Sequence, residues 1–133
     1  MSRLPRSQEY LKTGFNAEAA SAARLRAAAK SAAGAGKPKL SAALTALAAE
    51  KDALAFEQLR ASGQLHDDAS ESLAAALAEE RYENDSLYPR MASEVDEATA
   101  KVFADVVAKQ KGHADRLEAL LDQLGRSKGD LAS

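Results

Sequence analysis

The apolar residues of this chain are almost all alanine or leucine, and this choice restricts the fold more than any other sequence feature. The chain has 32 alanines and 17 leucines, but only 4 valines and no isoleucine. Alanine and leucine are strong helix formers, whereas β-branched residues favour strands. The chain is therefore predicted to be all-α, and its 133 residues are expected to form a single domain, residues 1–133.

Glycine and proline occur in a few clusters, which divide the chain into predicted helices. The breaks fall at Gly34, Gly36, Pro38, Gly63 and Gly125. The predicted helices are residues 7–33, 38–62, 69–92 and 94–124, followed by a flexible tail, residues 126–133. Pro89 is expected to kink or shorten the third helix. Ser93 and Asp96 are expected to form a capping box for the fourth helix, and Gly125 to end it.

Each predicted helix carries an apolar stripe at i, i+3, i+4, i+7 spacing, so the four helices can close into a bundle. Polar residues interrupt every stripe near its middle, namely Glu18, Glu50, Glu80, Gln110 and His113. The second stripe, for example, runs through Leu40, Leu44, Leu47, Glu50 and Leu54. A core-facing carboxylate is costly unless it is paired or binds a metal. Carboxylates with an imidazole suit iron or manganese, which makes a metal site one interpretation of the pattern.

Two short segments repeat weakly within the chain, Glu50-Lys51-Asp52-Ala53 and Gln110-Lys111-Gly112-His113. Di-iron carboxylate bundles place one Glu on each of two helices and a Glu-x-x-His unit on each of the other two. Both units are incomplete here. Ala53 stands where the first histidine would be, and Gln110 stands where the second glutamate would be.

Three segments together resemble the rubrerythrin or erythrin branch of the ferritin-like proteins. They are Phe15-Asn16-Ala17-Glu18 with Ala23-Arg24, Glu80-Arg81-Tyr82-Glu83 with Leu87-Tyr88-Pro89, and Val102-Phe103 through His113. The resemblance covers about residues 8–124, and the segment from Glu80 to Pro89 is its most specific part.

The resemblance implies a ferritin-like four-helix bundle and an oxidoreductase that reduces peroxide or oxygen at a non-haem iron site. The metal ligands that it implies are Glu18, Glu50, Glu80, Glu83 and His113. Ala53, Gln110 and Leu25, which replaces the tyrosine usual after Arg24, depart from the family pattern. The rubredoxin-like domain of the family needs four cysteines, and this chain has none. The remaining ligands could hold one iron or manganese ion, or two weakly.

Other interpretations of these residues remain open. Glu18, Glu50 and Glu80 could instead form ion pairs inside the bundle, with Arg24, Arg26 or Lys51 as partners. The whole chain would then be a metal-free bundle that serves as a scaffold or partner-binding module. Gln110 is interpreted as a hydrogen-bonding replacement, and His66 as a residue of a polar connection.

The resemblance also bears on assembly, because the second and third helices of ferritin-like bundles run parallel. The chain must then return along the bundle from the end of the second helix to the start of the third, a distance of about 27 Å of helix rise. The predicted connection, residues 62–72, spans at most about 36 Å when fully extended. A taut single-chain bundle or a domain-swapped dimer of helical hairpins would satisfy this limit. We expect a homodimer and favour the swap.

Composition excludes several other classes of protein. A net charge of −2 gives no electrostatic case for nucleic acid. Charged residues interrupt every alanine-rich stretch, so no membrane span is expected. The absence of cysteine excludes thiolate metal sites and disulfides. Together with an N-terminus that has no apolar run, it indicates a cytoplasmic protein.

Overall fold

The computed structural model describes residues 6–65, 67–126 and 130–131, and every regular element in these ranges is helical. The elements are α1 (Ser7–Gly34), α2 (Pro38–Ala61), α3 (Ala69–Tyr82), a π-helical segment (Glu83–Leu87), α4 (Tyr88–Ala92) and α5 (Glu97–Arg126). The all-α prediction is confirmed. The chain divides into two compact units, residues 1–66 and 67–133. The predicted flexible tail falls mostly outside the described residues.

The first unit is an antiparallel hairpin of α1 and α2. Gly36 adopts a φ of +75° in the turn, a conformation that side chains rarely allow, and Pro38 occupies the first turn of α2. Across the hairpin, Gly14 lies beside the Gln58 side chain, while Glu18 lies beside Lys51. The predicted break between the first two helices is confirmed.

Alanines form the contact between α1 and α2. The buried residues of the two helices are Ala22, Ala29, Ala32, Ala48 and Ala55. Two pairs in this set are seven residues apart, so each pair lies on one face of its helix. Small side chains let two helix backbones approach closely, and the hairpin is therefore held by a narrow seam of methyl groups.

Three leucines of the predicted stripe of α2 lie outside the alanine contact with α1, whereas Leu44 is half-buried. Leu40, Leu47 and Leu54 keep 47%, 47% and 44% of their surface exposed. They lie on a different face of α2 from Ala48 and Ala55. The prediction that this stripe faces the interior of a four-helix bundle stays a prediction, because within the hairpin the alanine contact leaves these larger side chains outside it.

The second unit is built on α3 and α5, with the π-helical segment and α4 also packed on α5. The Asp68 carboxylate caps α3 by accepting a hydrogen bond of 2.8 Å from the backbone N–H of Ser70. Leu77 of α3 and Ala114 of α5 are buried. At one end of the unit, the Tyr88 and Phe103 rings pack with their centroids 5.6 Å apart.

The helix predicted over residues 69–92 is interrupted by the π-helical segment just before Pro89, so α3 is shorter than predicted, which is one of the two effects expected of Pro89. The backbone N–H of Tyr88 donates to the carbonyl oxygen of Glu83, five residues earlier. Pro89 follows as an early residue of α4, where a missing N–H is tolerated. One wider turn therefore absorbs the proline, and the helical path continues to Ala92.

The two caps predicted for the fourth helix were both wrong. α5 begins at Glu97, because the Asp96 carboxylate accepts a hydrogen bond of 2.8 Å from the backbone N–H of Thr99. The Ser93 hydroxyl donates instead to the Arg90 carbonyl at 2.7 Å. At the other end, α5 continues through Gly125 to Arg126.

Candidate functional site

In the second unit, two predicted metal ligands, one at the end of α3 and one in the π-helical segment that follows it, lie opposite two residues of α5. Glu80 lies opposite His113, and Glu83 lies opposite Gln110. The partners are three residues apart on both sides, so each pair occupies its own turn of the antiparallel helices. This ladder of two pairs is the candidate site.

The Glu80–His113 pair is a close approach without a hydrogen bond. The Glu80 Oε1 and His113 Nδ1 atoms are 3.8 Å apart, which exceeds hydrogen-bonding distance. The Glu80 side chain is 22% exposed, whereas that of His113 is 49% exposed. The second carboxylate oxygen of Glu80, Oε2, is buried and has no hydrogen-bond partner. One oxygen of Glu80 therefore lies near the imidazole without a hydrogen bond to it, and the other is buried without any partner.

The Glu83–Gln110 pair is joined by a hydrogen bond. The Gln110 Nε2 amide donates to Glu83 Oε1 at a distance of 3.2 Å. Because the amide nitrogen is the donor, the Gln110 carbonyl oxygen, Oε1, must point elsewhere, and it is buried without a partner. The predicted hydrogen-bonding role of Gln110 is confirmed.

Asn84 is a further polar residue of this region, and the sequence did not identify it as functional. It lies in the π-helical segment, is only 5% exposed, and its Oδ1 atom has no hydrogen-bond partner. Its position seven residues after Leu77, which places both residues on one helix face, was the available signal. Segments of π-helix occur often at functional sites, since the extra residue redirects the neighbouring side chains.

A pocket of about 290 Å³ opens beside the first pair of the ladder, and Glu80, His113, Arg116, Leu117 and Leu120 line it. The two leucines supply an apolar wall, while Arg116 adds a fixed positive charge. Of the residues that the structure describes, no lysine or arginine forms an ion pair with Glu80 or Glu83. Arg116 thus shares the pocket with Glu80 without forming an ion pair with it.

The donor chemistry of the ladder fits a hard divalent cation. Carboxylate and amide oxygens with one imidazole nitrogen are a ligand set for iron(II) or manganese(II). Within residues 6–65, 67–126 and 130–131, no three His, Cys, Asp or Glu side chains are grouped as a metal site. The structure brings together Glu80 and His113, and binding with Glu83 as well would require a side-chain movement.

The first unit contains the other two predicted ligands, Glu18 and Glu50. Glu18 Oε2 lies 3.1 Å from the Lys51 ammonium, with side chains that are 25% and 37% exposed. The geometry is that of an ion pair without a hydrogen bond, and Glu18 Oε2 is, like Glu80 Oε2, a buried oxygen that accepts none from the described residues. This is the ion pair that the alternative interpretation predicted for Glu18. The next residue of α2, Asp52, forms an ion pair with Arg26 of α1. Glu50 is exposed, as is Ala53.

Two further sequence predictions concern residues elsewhere in the chain. His66 lies outside the described residues. None of the described helices is long and apolar enough to cross a membrane.

Comparisons with known proteins do not identify a family for this chain. No protein-family model matches it, and no curated protein matches it.

Proposed function

We propose that this chain is a rubrerythrin-like carboxylate metal protein that binds iron or manganese, with Glu80, Glu83 and His113 as its main ligands. The observation that carries the proposal is a set of buried acceptor oxygens without partners in the second unit: Glu80 Oε2, Asn84 Oδ1 and Gln110 Oε1. A buried acceptor without a donor costs about 1–3 kcal/mol. One bound cation would satisfy several such oxygens together.

The chemistry follows from the charges of the ladder. Glu80, Glu83 and His113 would hold an iron ion whose chemistry is the oxidation of iron(II) to iron(III) by oxygen or peroxide, with two iron(II) ions oxidised for each peroxide reduced to water. This is the oxidoreductase activity that the resemblance implies. The Glu80 and Glu83 carboxylates would balance the charge of the cation, and the Gln110 amide would hold Glu83 in place.

The predicted contribution of Glu18 and Glu50 to the ligand set stays a prediction. Glu18 already has a cationic partner within its own hairpin, whereas Glu50 is exposed. Replacing each of them separately tests whether it adds to metal binding.

We propose in addition that the protein is a homodimer in which α2 contributes its leucine face. The face consists of Leu40, Leu47 and Leu54, each a little under half exposed and each seven residues from the next. Heptad spacing of leucines is typical of a helix that packs against another helix. In the proposed dimer, a second copy of this chain packs on the leucine face.

The connection between α2 and α3 favours the domain-swapped form of this dimer. α2 ends at Ala61 and α3 begins at Ala69, so the connection, residues 62–68, spans at most about 29 Å. In a ferritin-like bundle formed by one chain, Glu50 and Glu80 would lie at the same height along the bundle axis. The connection would then have to cover the distance from the end of α2 back to the start of α3, which is about 33 Å. Pairing of hairpins from two chains has no such limit. Sedimentation that gives only a 14.0 kDa species would contradict the dimer.

A cytoplasmic location is also part of the proposal. The absence of cysteine from the sequence is its support, because a reducing compartment neither requires nor favours disulfides.

The decisive experiment measures metal content in protein purified without chelators. We expect iron or manganese in the wild type and a loss of most of it in Glu80→Gln. Glu79→Gln is the matched control, because Glu79 is the preceding residue of α3 and is exposed. Metal-free wild-type protein whose melting temperature does not rise with added Mn(II) would contradict the proposal.

The second candidate function is a metal-free bundle that binds a protein partner. The Gln110–Glu83 hydrogen bond favours it, because the bond satisfies a ligand position without any metal. The same metal measurement separates the two functions. An empty wild-type protein with an unchanged melting temperature supports the metal-free bundle.

A further inference from the structure

The two units of this chain carry opposite net charges. Residues 1–66 contain ten lysines and arginines against five aspartates and glutamates, which gives a net charge of +5. Residues 67–133 contain eight against fifteen, which gives a net charge of −7. The net charge of −2 for the whole chain conceals this division. Units of opposite sign attract each other in solution, whereas units of the same sign repel.

The second unit presents an apolar face along α5. Val102 is 57% exposed, and three further residues, Val106, Leu117 and Leu120, are half-buried. Successive residues of a helix are about 100° apart, so these four side chains lie within about 60° of one another around α5. We name these four residues the α5 face. Leu117 and Leu120 also line the pocket beside Glu80, which therefore belongs to this face.

The α5 face and the leucine face of α2 are similar in length. The leucine face, residues 40–54, corresponds to about 21 Å of helix rise, and the α5 face, residues 102–120, to about 27 Å. Two leucine faces in contact would join units that each carry +5, and two α5 faces would join units that each carry −7. Only a leucine face against an α5 face joins units of opposite charge.

We propose that the leucine face of α2 packs on the α5 face of a second copy of this chain, so that each dimer contains two such contacts. This inference rests on the proposed homodimer and specifies which surfaces meet. Apolar packing supplies affinity, while the opposite charges of the two units favour this contact over contacts between like faces. The first unit of the partner is therefore the occupant of the α5 face.

The direction of the salt dependence is the first test, because salt screens attraction and repulsion alike. We expect the dissociation constant of the wild-type dimer to rise at least about threefold between about 0.05 M and about 0.5 M sodium chloride. Sedimentation over a range of protein concentrations measures it. A contact between like faces would join units of the same charge, so its dissociation constant would fall. A constant that falls or does not change overturns the inference.

Two variants locate the contact. Leu47→Lys in the leucine face and Val102→Glu in the α5 face should each raise the dissociation constant at least about tenfold. Ala108→Glu is the matched control, because Ala108 is exposed on α5 and lies about 120° from Val102 around the helix. Helix content from circular dichroism identifies a variant that fails to fold. If Val102→Glu fails in this way, Val102→Gln replaces it.

An equimolar mixture of Leu47→Lys and Val102→Glu tests the pairing directly. In the mixed dimer, one contact joins the unaltered leucine face of the Val102→Glu chain to the unaltered α5 face of the Leu47→Lys chain. The other contact joins an added cation to an added anion. We therefore expect the mixture to form more dimer than either variant alone at the same total concentration. A mixture that dimerises no better than the two variants overturns the inference.

The outcomes separate this inference from the proposed function. A dimer that Leu47→Lys weakens and Val102→Glu does not overturns the inference, while the proposed dimer through the leucine face stands. A wild type that sediments only as a monomer overturns both. In either case the metal content of the wild type decides the proposed metal binding separately.

Discussion

The amide nitrogen of Gln110 donates a hydrogen bond of 3.2 Å to Oε1 of Glu83, across the contact between α5 and the π-helical segment. This single bond fixes the orientation of both side chains. It gives Glu83 a donor in the absence of metal, while it leaves the buried carbonyl oxygen of Gln110 without one. The hydrogen bond therefore forms without a metal ion, while one buried acceptor oxygen of the pair still lacks a donor.

Gln110→Glu should make the metal-free protein less stable and its Mn(II) binding stronger. The substitution removes the donor and places a second carboxylate beside Glu83, and the two carboxylates repel each other. We expect a loss of about 1–2 kcal/mol in the free energy of unfolding without metal, reversed by Mn(II). Urea unfolding with and without Mn(II) measures both effects. Gln123→Glu, at an exposed position of α5, should show neither effect.

Asn84→Leu should separate stability from metal binding. Asn84 is buried and its Oδ1 has no partner, so a leucine of similar size removes an unsatisfied acceptor. We expect the metal-free protein to be unchanged or to gain up to about 1 kcal/mol in unfolding free energy. The increase in melting temperature produced by Mn(II) should become smaller. A large destabilisation of the metal-free protein would mean that Asn84 has a structural hydrogen bond instead.

Leu47→Glu should weaken the proposed dimer. A charge in the middle of the leucine face of α2 would be buried by a second copy, which raises the dissociation constant at least about tenfold. Sedimentation over a range of protein concentrations measures the change. Phe56→Glu is the control, because Phe56 is 56% exposed and lies about half a turn from Leu47 around α2. Equal weakening by both variants would argue against a dimer through this face.

Asp96→Ala should lower the melting temperature at neutral pH but not in strong acid. The backbone N–H of Thr99 donates to the Asp96 carboxylate and lowers the pKa of this group below its usual 3.8. The stabilisation is therefore present above the unfolded-state pKa and is lost as the pH falls through the folded-state pKa. Thermal melts of wild type and variant at about pH 7 and about pH 2 test this difference. Asp115→Ala, at an exposed position inside α5, should lack this pH dependence.

Much of the candidate site could be anticipated from spacing alone. Glu83 follows Glu80 by three residues, and His113 follows Gln110 by three residues. This spacing places the two residues of each helix on one face of that helix, whatever the helix packs against. Which residues pair with each other depends on the relative position of α3 and α5, and spacing does not determine this. The π-helical segment that contains the buried Asn84 was not predicted either, because propensity and breakers do not indicate a turn with i to i+5 hydrogen bonds.

Helix formation in this chain was determined by the sequence itself, because propensity and breakers act locally. The abundance of alanine and leucine, Gly36 with its positive φ, and Pro38 at a helix start were sufficient to locate the first two helices. The tertiary structure decided which face of α2 packs. A helix rich in both alanine and leucine offers two apolar faces, and only the close approach of α1 selects the alanines.

The same distinction applies to charge. The sequence placed carboxylates and basic residues on neighbouring helices, but several cations were candidates for Glu18. Tertiary packing selected Lys51, because the antiparallel register of α1 and α2 brings its ammonium to the Glu18 carboxylate. Coulomb attraction falls with distance, so the partner is chosen by the register of the helices and not by residue type.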